Sequence, residues 1–210
     1  MATAWAALAF ALVAVAWQAQ VARTQRDLAI KARQAEAEEV AAGAHFLAAP
    51  QTVELPAAAA WQNGYGLYDD FKKRTRGFTA LPHFQDGAWR GGKDLPDATL
   101  GWIHLTAEGG HPGSKPELSA VRRWTAPCDG VIRITATLSR GAKEGDGVRA
   151  LIVSSRTGDL RRWILPHGQV ETNLDGVSVV AGETIDFIVD CLTNESHDSF
   201  SWSPAIVMAP

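Results

Sequence analysis

Histidines, cysteines and aspartates supply most catalytic and metal chemistry, and this 210-residue chain holds six histidines and two cysteines. His83, His104 and His111 fall in one stretch and invite a metal reading. Their spacings match no short zinc motif, and Pro112 biases His111 toward extended backbone. Turn histidines are the favoured reading, and no metal site is expected. Cys128 and Cys191 form no Cys-x-x-Cys, which excludes a zinc ribbon, a thioredoxin-type site and an attached c-type haem. Cys191 falls on the inward face of a strand pattern, where a thiol behaves as a small hydrophobe. Both cysteines are therefore expected to be free rather than bridged.

Nucleophilic catalysis needs an activated Ser or Cys beside a base. The chain has no Gly-x-Ser-x-Gly, and Ser154-Ser155 ends a strand pattern with no histidine near it in sequence. A glycosidase needs two facing carboxylates. Asp69, Asp70, Asp86, Asp146, Asp190 and Asp198 mostly flank turns, where local hydrogen bonding explains an aspartate. Asp190, Asn194 and Asp198 lack the ligand spacing of a known calcium loop. Gly91-Gly92 and Gly109-Gly110 lack the Lys-Ser/Thr that completes a phosphate loop. Neither an enzyme nor a cofactor is expected.

The aromatic residues are more suggestive. Trp61, Tyr65, Trp89, Trp102, Trp124, Trp163 and Trp202 all lie in the second part of the chain. An exposed ring can stack on a sugar, whereas an enclosed ring fills a core. Trp124 and Trp202 sit inside strand patterns and read as core. Trp89, between Asp86-Gly87 and Gly91-Gly92, reads as loop-borne, with little neighbouring bulk to hide it. It is the leading candidate for a ligand platform. Trp61 and Tyr65 would extend that surface, and Arg90 would bond hydroxyl groups. Packing over a sheet edge is nevertheless the favoured role for Trp89, with the ligand platform as the alternative.

Composition divides the elements that must carry these residues. Ala dominates up to about residue 60; afterwards Trp, Gly, Thr, Val, Ile and Asp-Gly pairs take over. Asp-Gly at 86–87, 129–130, 146–147 and 175–176 can each supply a tight turn. Val131–Leu138 alternates strictly: Ile132, Ile134, Ala136 and Leu138 face one way, and Arg133, Thr135 and Thr137 the other. Thr184–Cys191 repeats this, with Thr184, Asp186 and Asp190 expected outward. Further strands are expected at Gly101–Thr106, Ala120–Ala126, Val148–Ser154, Leu160–Leu165, Val177–Val180 and Phe200–Met208. Many short strands and no convincing helix give an all-β sandwich of jelly-roll type over residues 61–210.

Three segments precede it. Residues 1–17 are uncharged and almost wholly apolar, ending in Trp17. A short membrane anchor is ranked first. A cleaved signal with Ala14-Val15-Ala16 as its site, and an internal piece of a longer protein, are the alternatives. Residues 18–40 lack Gly and Pro and read as a helical spacer, with a weak heptad seam at Val21, Leu28 and Ala35. Residues 41–60 read as linker. The basic flank Arg23, Arg26, Lys31 and Arg33 would hold the following chain in the cytoplasm by the positive-inside rule. A net charge of −3 leaves no electrostatic footprint for nucleic acid.

Several motifs occur in a specific order: Arg123-Trp-Thr-Ala-Pro, Asp129-Gly, Gly145-Asp-Gly-Val, Ile152-Val-Ser-Ser-Arg, Gly182-Glu-Thr-Ile-Asp-Phe-Ile-Val-Asp and Asp198-Ser-Phe-Ser-Trp-Ser-Pro-Ala-Ile. Upstream lie Trp61-Gln-Asn-Gly-Tyr-Gly, Leu81-Pro-His-Phe and Gly109-Gly-His-Pro-Gly. Over residues 61–207 they resemble the C-terminal β-sandwich module of planctomycete-type cytochrome c domain proteins. More distantly they resemble carbohydrate-binding-like jelly-roll modules of secreted bacterial proteins. The haem-bearing region of the first family has no counterpart here, so no electron-transfer role carries over. The resemblance implies an extracytoplasmic accessory module, periplasmic or at the cell surface, which conflicts with the orientation drawn from the basic flank. The expected function is a non-catalytic, membrane-tethered binding module for a polysaccharide or a protein, with glycan the favoured ligand. The alternative is a structural sandwich that supports assembly of a larger membrane-associated complex.

Overall fold

A computed structural model describes residues 61–208. The expected anchor (1–17), helical spacer (18–40) and linker (41–60) lie outside the described residues. The strands run β1 (Trp61–Asp69), β2 (Arg74–Ala80), β3 (His83–Gln85), β4 (Ala88–Arg90), β5 (His104–Thr106), β6 (Gly109–His111), β7 (Ser119–Thr125) and β8 (Gly130–Thr135). They continue as β9 (Thr137–Arg140), β10 (Val148–Ser154), β11 (Gly158–Leu165), β12 (Gly168–Glu171), β13 (Leu174–Val179), β14 (Thr184–Asp190), β15 (Phe200–Trp202) and β16 (Ala205–Met208). One 3-10 turn, Pro116–Leu118, precedes β7.

These strands build an all-β sandwich from antiparallel sheets. One sheet has the order β11-β10-β14-β7-β1-β2, a second β12-β9-β15-β6-β5-β4-β3, and a small third β13-β8-β16. The main core lies between the first sheet and the other two. Ala120, Trp124, Ala150, Ile152 and Phe187 from the first meet Leu105, Leu138, Phe200 and Trp202 from the second and Ile132 and Ile134 from the third. Burying such side chains contributes about 1.5–3 kcal/mol each. The expected alternation in Val131–Leu138 holds residue by residue: Ile132, Ile134, Ala136 and Leu138 are buried, and Arg133, Thr135 and Thr137 are exposed. The run nevertheless belongs to two sheets, because β8 pairs with β13 and β16 whereas β9 pairs with β12 and β15. Ala136 is the crossing point. Its N–H donates to Asn173 Oδ1 at 3.0 Å, and its carbonyl accepts from the Thr172 backbone at 2.8 Å.

β14 departs from expectation. Asp186 and Asp190 were expected outward, yet both are buried. The cause is the ribbon of β1 and β2. A register irregularity between Tyr65 and Leu67 breaks the pairing of that ribbon. Side-chain and backbone bonds then tie it to the far end of the same sheet: Tyr68 to Asp159, and Arg74 Nη2 to the Arg156 carbonyl at 2.9 Å. A second apolar cluster of Tyr68, Val121, Leu151, Val153 and Ile188, with Phe78 against it, forms on the sheet's other face. Beside it the carboxylates find guanidinium partners. Arg123 grips Asp186 bidentately at 2.7 and 2.8 Å, and Arg149 reaches Asp190 at 2.6 Å. Gly64 lets Phe78 lie against β1, since a Cβ there would fall 2.6 Å from the Phe78 ring.

Of the Asp-Gly pairs, one closes a two-residue hairpin. Gln85 pairs with Ala88, and Asp86 and Gly87 both take positive φ, at 52° and 76°. Gly176 instead sits at a register irregularity in β13, with φ 70°.

Candidate functional site

The Asp86-Gly87 hairpin determines where Trp89 goes. Trp89 lies on the strand β4 rather than on a loop, and β4 pairs it with Phe84 on one side and Leu105 on the other. Leu105 is in the core, so the row of side chains points toward the sandwich interior but runs out past its edge. At that edge Trp89 remains 37% exposed and Phe84 57%. Their rings meet at a centroid distance of 4.9 Å with a 45° tilt. Phe84 does not stand out in the sequence; only the hairpin pairing reveals it.

Across the opening lie β1 and β7. Trp61 pairs with Trp124, and Asn63 with Arg122. Trp61 is half-buried and anchored on Phe187, ring centroids 5.8 Å apart. The Thr106–Ala107 turn and Ser203-Pro204 close the ends. The result is a groove of about 490 Å³ lined chiefly by Trp61, Asn63, Phe84, Trp89, Arg122 and Ser203. Trp61 and Trp89 are thus brought together. Tyr65 packs against the main core, and Arg90 lies on the opposite face of β4 from Trp89; neither lines the groove. Arg90 faces His83 and His104 across its strand pairs and bridges Asp86 at 3.7 Å.

Two polar groups in the groove are unusual. Asn63 Oδ1 is buried with no hydrogen-bond partner. Arg122 is half-buried and crosses from the first sheet to the strand ends of the second at Thr106 and Trp202 and the adjoining Ala107. Its Nη1 donates to the carbonyls of Ala107 and Trp202, each at 3.1 Å, and its Nη2 to the Thr106 carbonyl. Burial lowers its pKa. Among the described residues no carboxylate pairs with it.

Three of the histidines gather on the outer face of the second sheet. The cross-strand row reads His83, Arg90, His104, His111. His104 and His111 stack at 6.2 Å with rings 16° from parallel, while His83 bonds Gln85 at 3.1 Å. His104 Nδ1 donates to the Trp102 carbonyl at 2.9 Å and His111 Nδ1 to the Pro112 carbonyl at 2.6 Å. Burial lowers the His111 pKa, against the hydrogen bond to Pro112, and the neighbouring His104 lowers it further. Trp102, Glu195, Ser196 and His197 complete a shallow pocket of about 360 Å³ over this pair. Among the described residues no three metal-ligating side chains converge.

Most of the other chemical groups in the described residues are engaged in structure. Ser154 Oγ is fully buried, donates to Glu183 Oε1 at 2.6 Å and accepts from the Arg156 and Thr157 amides. Asp69 and Asp97 accept from the amides of their own turns. Cys128 is an exposed free thiol and Cys191 a buried one. Burial, with Asp190 and Asp198 nearby, pushes the Cys191 thiol up to about 11.

Arg140 and Asp198 occupy a sealed site, both with fully buried side chains. Arg140 donates to the carbonyls of Ala142, Glu144 and Pro166. Its Nη2 approaches Asp198 Oδ1 to 3.2 Å outside hydrogen-bond geometry, and neither carboxylate oxygen of Asp198 has a partner. Burial pushes the Asp198 carboxyl up to about 6, with the Arg140 charge opposing. Searches against protein-family models and against curated proteins give no match to this chain.

Proposed function

We propose that this domain is a non-catalytic binding module whose ligand is a glycan. The apolar run of residues 1–17 tethers the chain to a membrane, and the module works outside the cytoplasm as an accessory, the setting implied by the resemblance of residues 61–207 to modules of secreted bacterial proteins. One observation carries the binding reading: Trp61, Trp89 and Phe84 line a single solvent-open groove together with Asn63, Arg122 and Ser203. Flat aromatic faces provide apolar area for the CH face of a pyranose, and the polar groups bond its hydroxyls. Trp61 is held by the core, so little side-chain freedom is lost when a ligand stacks on it.

Trp89→Ala tests this reading on the full-length chain against a panel of soluble polysaccharides. The expected result is an affinity loss of about tenfold or more with the fold retained. Unchanged binding by the variant would remove the groove from the reading.

A second reading rests on a different surface. Val131 and Val207 are exposed on the outer face of the three-stranded sheet, beside a hollow of about 310 Å³ that Met208 also lines. An apolar face at a sheet edge suits assembly with another protein. Val207→Asp should shift the sedimentation of an assembly built there and leave glycan binding alone.

A further inference from the structure

The groove contains one charged side chain among its lining residues, and it is positive. Guanidinium has five N–H donors, and burying its charge without a counter-charge is costly. Arg122 spends donors on three backbone carbonyls, all through Nη1 and Nη2. Among the described residues its Nε–H has no acceptor, and no carboxylate neutralises it. Among the described residues only Arg74, Arg122 and Arg161 lack an aspartate or glutamate within 4 Å, and Arg74 and Arg161 are exposed to water, whereas the fully enclosed Arg140 has its acid. Asp86, at the hairpin beside the groove, is paired with Arg90, and Glu108 is not among the lining residues. The carbonyls fix the guanidinium plane, so its two remaining donors, Nε–H and the second N–H of Nη2, are pre-oriented rather than mobile.

We propose that the groove selects an acidic glycan, with the carboxylate of a uronic acid residue at Arg122 and the sugar ring on Trp89 and Trp61. This rests on the glycan reading above and adds the charge of the ligand to it. The carboxylate supplies the counter-ion that the protein does not, and an ionised acceptor forms a stronger hydrogen bond than a hydroxyl. Asn63, paired directly with Arg122 across β1 and β7, brings an amide with an unpartnered oxygen to the same wall.

The test titrates the full-length chain with oligouronates of several linkages and with the same oligosaccharides after reduction of their carboxyl groups to alcohols. The expected result is that at least one acidic series binds about tenfold more tightly than its reduced counterpart. Its affinity should fall when salt rises from about 50 to about 500 mM. Trp89→Ala should weaken it, Arg122→Gln should abolish the preference, and Arg122→Lys should retain part of it. If Arg122→Gln does not fold, the salt series on the unaltered protein decides. Reduced oligosaccharides binding as tightly as the acidic ones, or an affinity indifferent to salt, would overturn the charge assignment. Trp89-dependent binding of those neutral sugars would still leave the glycan reading standing. Failure of both forms to bind would defeat both.

Discussion

Two arginines in this domain do nearly the same thing with opposite outcomes. Arg140 and Arg122 each leave a strand and donate to three backbone carbonyls. Arg140 is sealed from water with Asp198 beside it, whereas Arg122 is half-buried at an open groove with no acid. The sealed site has every feature of architecture: enclosure, a counter-charge, and a loop held in place. The open site has the same architecture minus the counter-charge, and that missing charge is what a ligand can supply. Aromatic residues divide the same way, with Trp202 enclosed and Trp89 at the rim.

The sharpest way to break this comparison is to remove each guanidinium. Arg140→Ala leaves a buried carboxylate without its counter-charge and three carbonyls without donors, and is expected to cost about 3–5 kcal/mol in urea denaturation. Arg122→Ala exposes its carbonyls to water in the groove and should cost about 1–2 kcal/mol. Equal losses would mean that both sites are purely structural.

A comparable gap is expected between the tryptophans. Trp202→Ala empties a core position and donates no bond to Thr172 Oγ1, which Trp202 Nε1 now reaches at 2.8 Å; about 3–5 kcal/mol is expected. Trp89→Ala forfeits mainly its contact with Phe84, about 1 kcal/mol. A large drop in melting temperature for Trp89→Ala would assign the indole to packing rather than to a ligand.

Acid should act on the sealed site in a particular sense. The Asp198 carboxyl sits at about 6 in the folded chain against an ordinary 3.8, so the folded state holds the extra proton between these values. Stability should therefore fall as pH rises from about 4 to about 6 through this group, and level off above. Asp198→Asn should flatten that part of the profile in melts across the range. Asp70 and Glu183 work in the opposite sense. Burial raises both carboxyls, but Arg149 outweighs it at Asp70, and Ser154 and Arg156 outweigh it at Glu183. Their contribution is lost only as pH falls below about 4. An unchanged slope in Asp198→Asn would show that Arg140 holds Asp198 ionised throughout.

The smallest expected effect is chemical. A thiol reagent should modify Cys128 alone in the native chain and both cysteines after denaturation, since Cys191 is enclosed and its thiolate disfavoured. Two native modifications would show that the region around Asp190 and Asp198 opens readily.

Local pattern explains which of these features could be read from the residues. Alternation in Val131–Leu138, the Asp86-Gly87 turn and the core positions of Trp124 and Trp202 depend on neighbours in sequence, and each was legible. The burial of Asp186 and Asp190 was not, because it depends on a ribbon, β1 and β2, whose Gly64 and Gly66 resemble turn residues rather than strand residues. The candidate site was half legible. Trp89 and Trp61 were accessible as exposed-ring candidates, while Phe84 and Arg122 enter through pairings with Trp89 and Asn63 that no spacing announces. Arg90 follows Trp89 directly and therefore falls on the other side of the sheet, the consequence of a period of two. The Arg140–Asp198 contact joins distant segments and leaves no local trace.

The passage of one continuous strand from the third sheet into the second at Ala136 has a consequence for how the domain comes apart. A sheet can shed its strands one at a time only if each belongs to it alone. Here β8 and β9 are neighbours in the same covalent run, so releasing either pulls on the residue that both share. Ala136 is bonded on both sides, to Asn173 and Thr172, and cannot act as a slack hinge. Amide hydrogens of β8 and β9 should accordingly exchange with solvent through one common opening, at the free energy of global unfolding, rather than through separate local events.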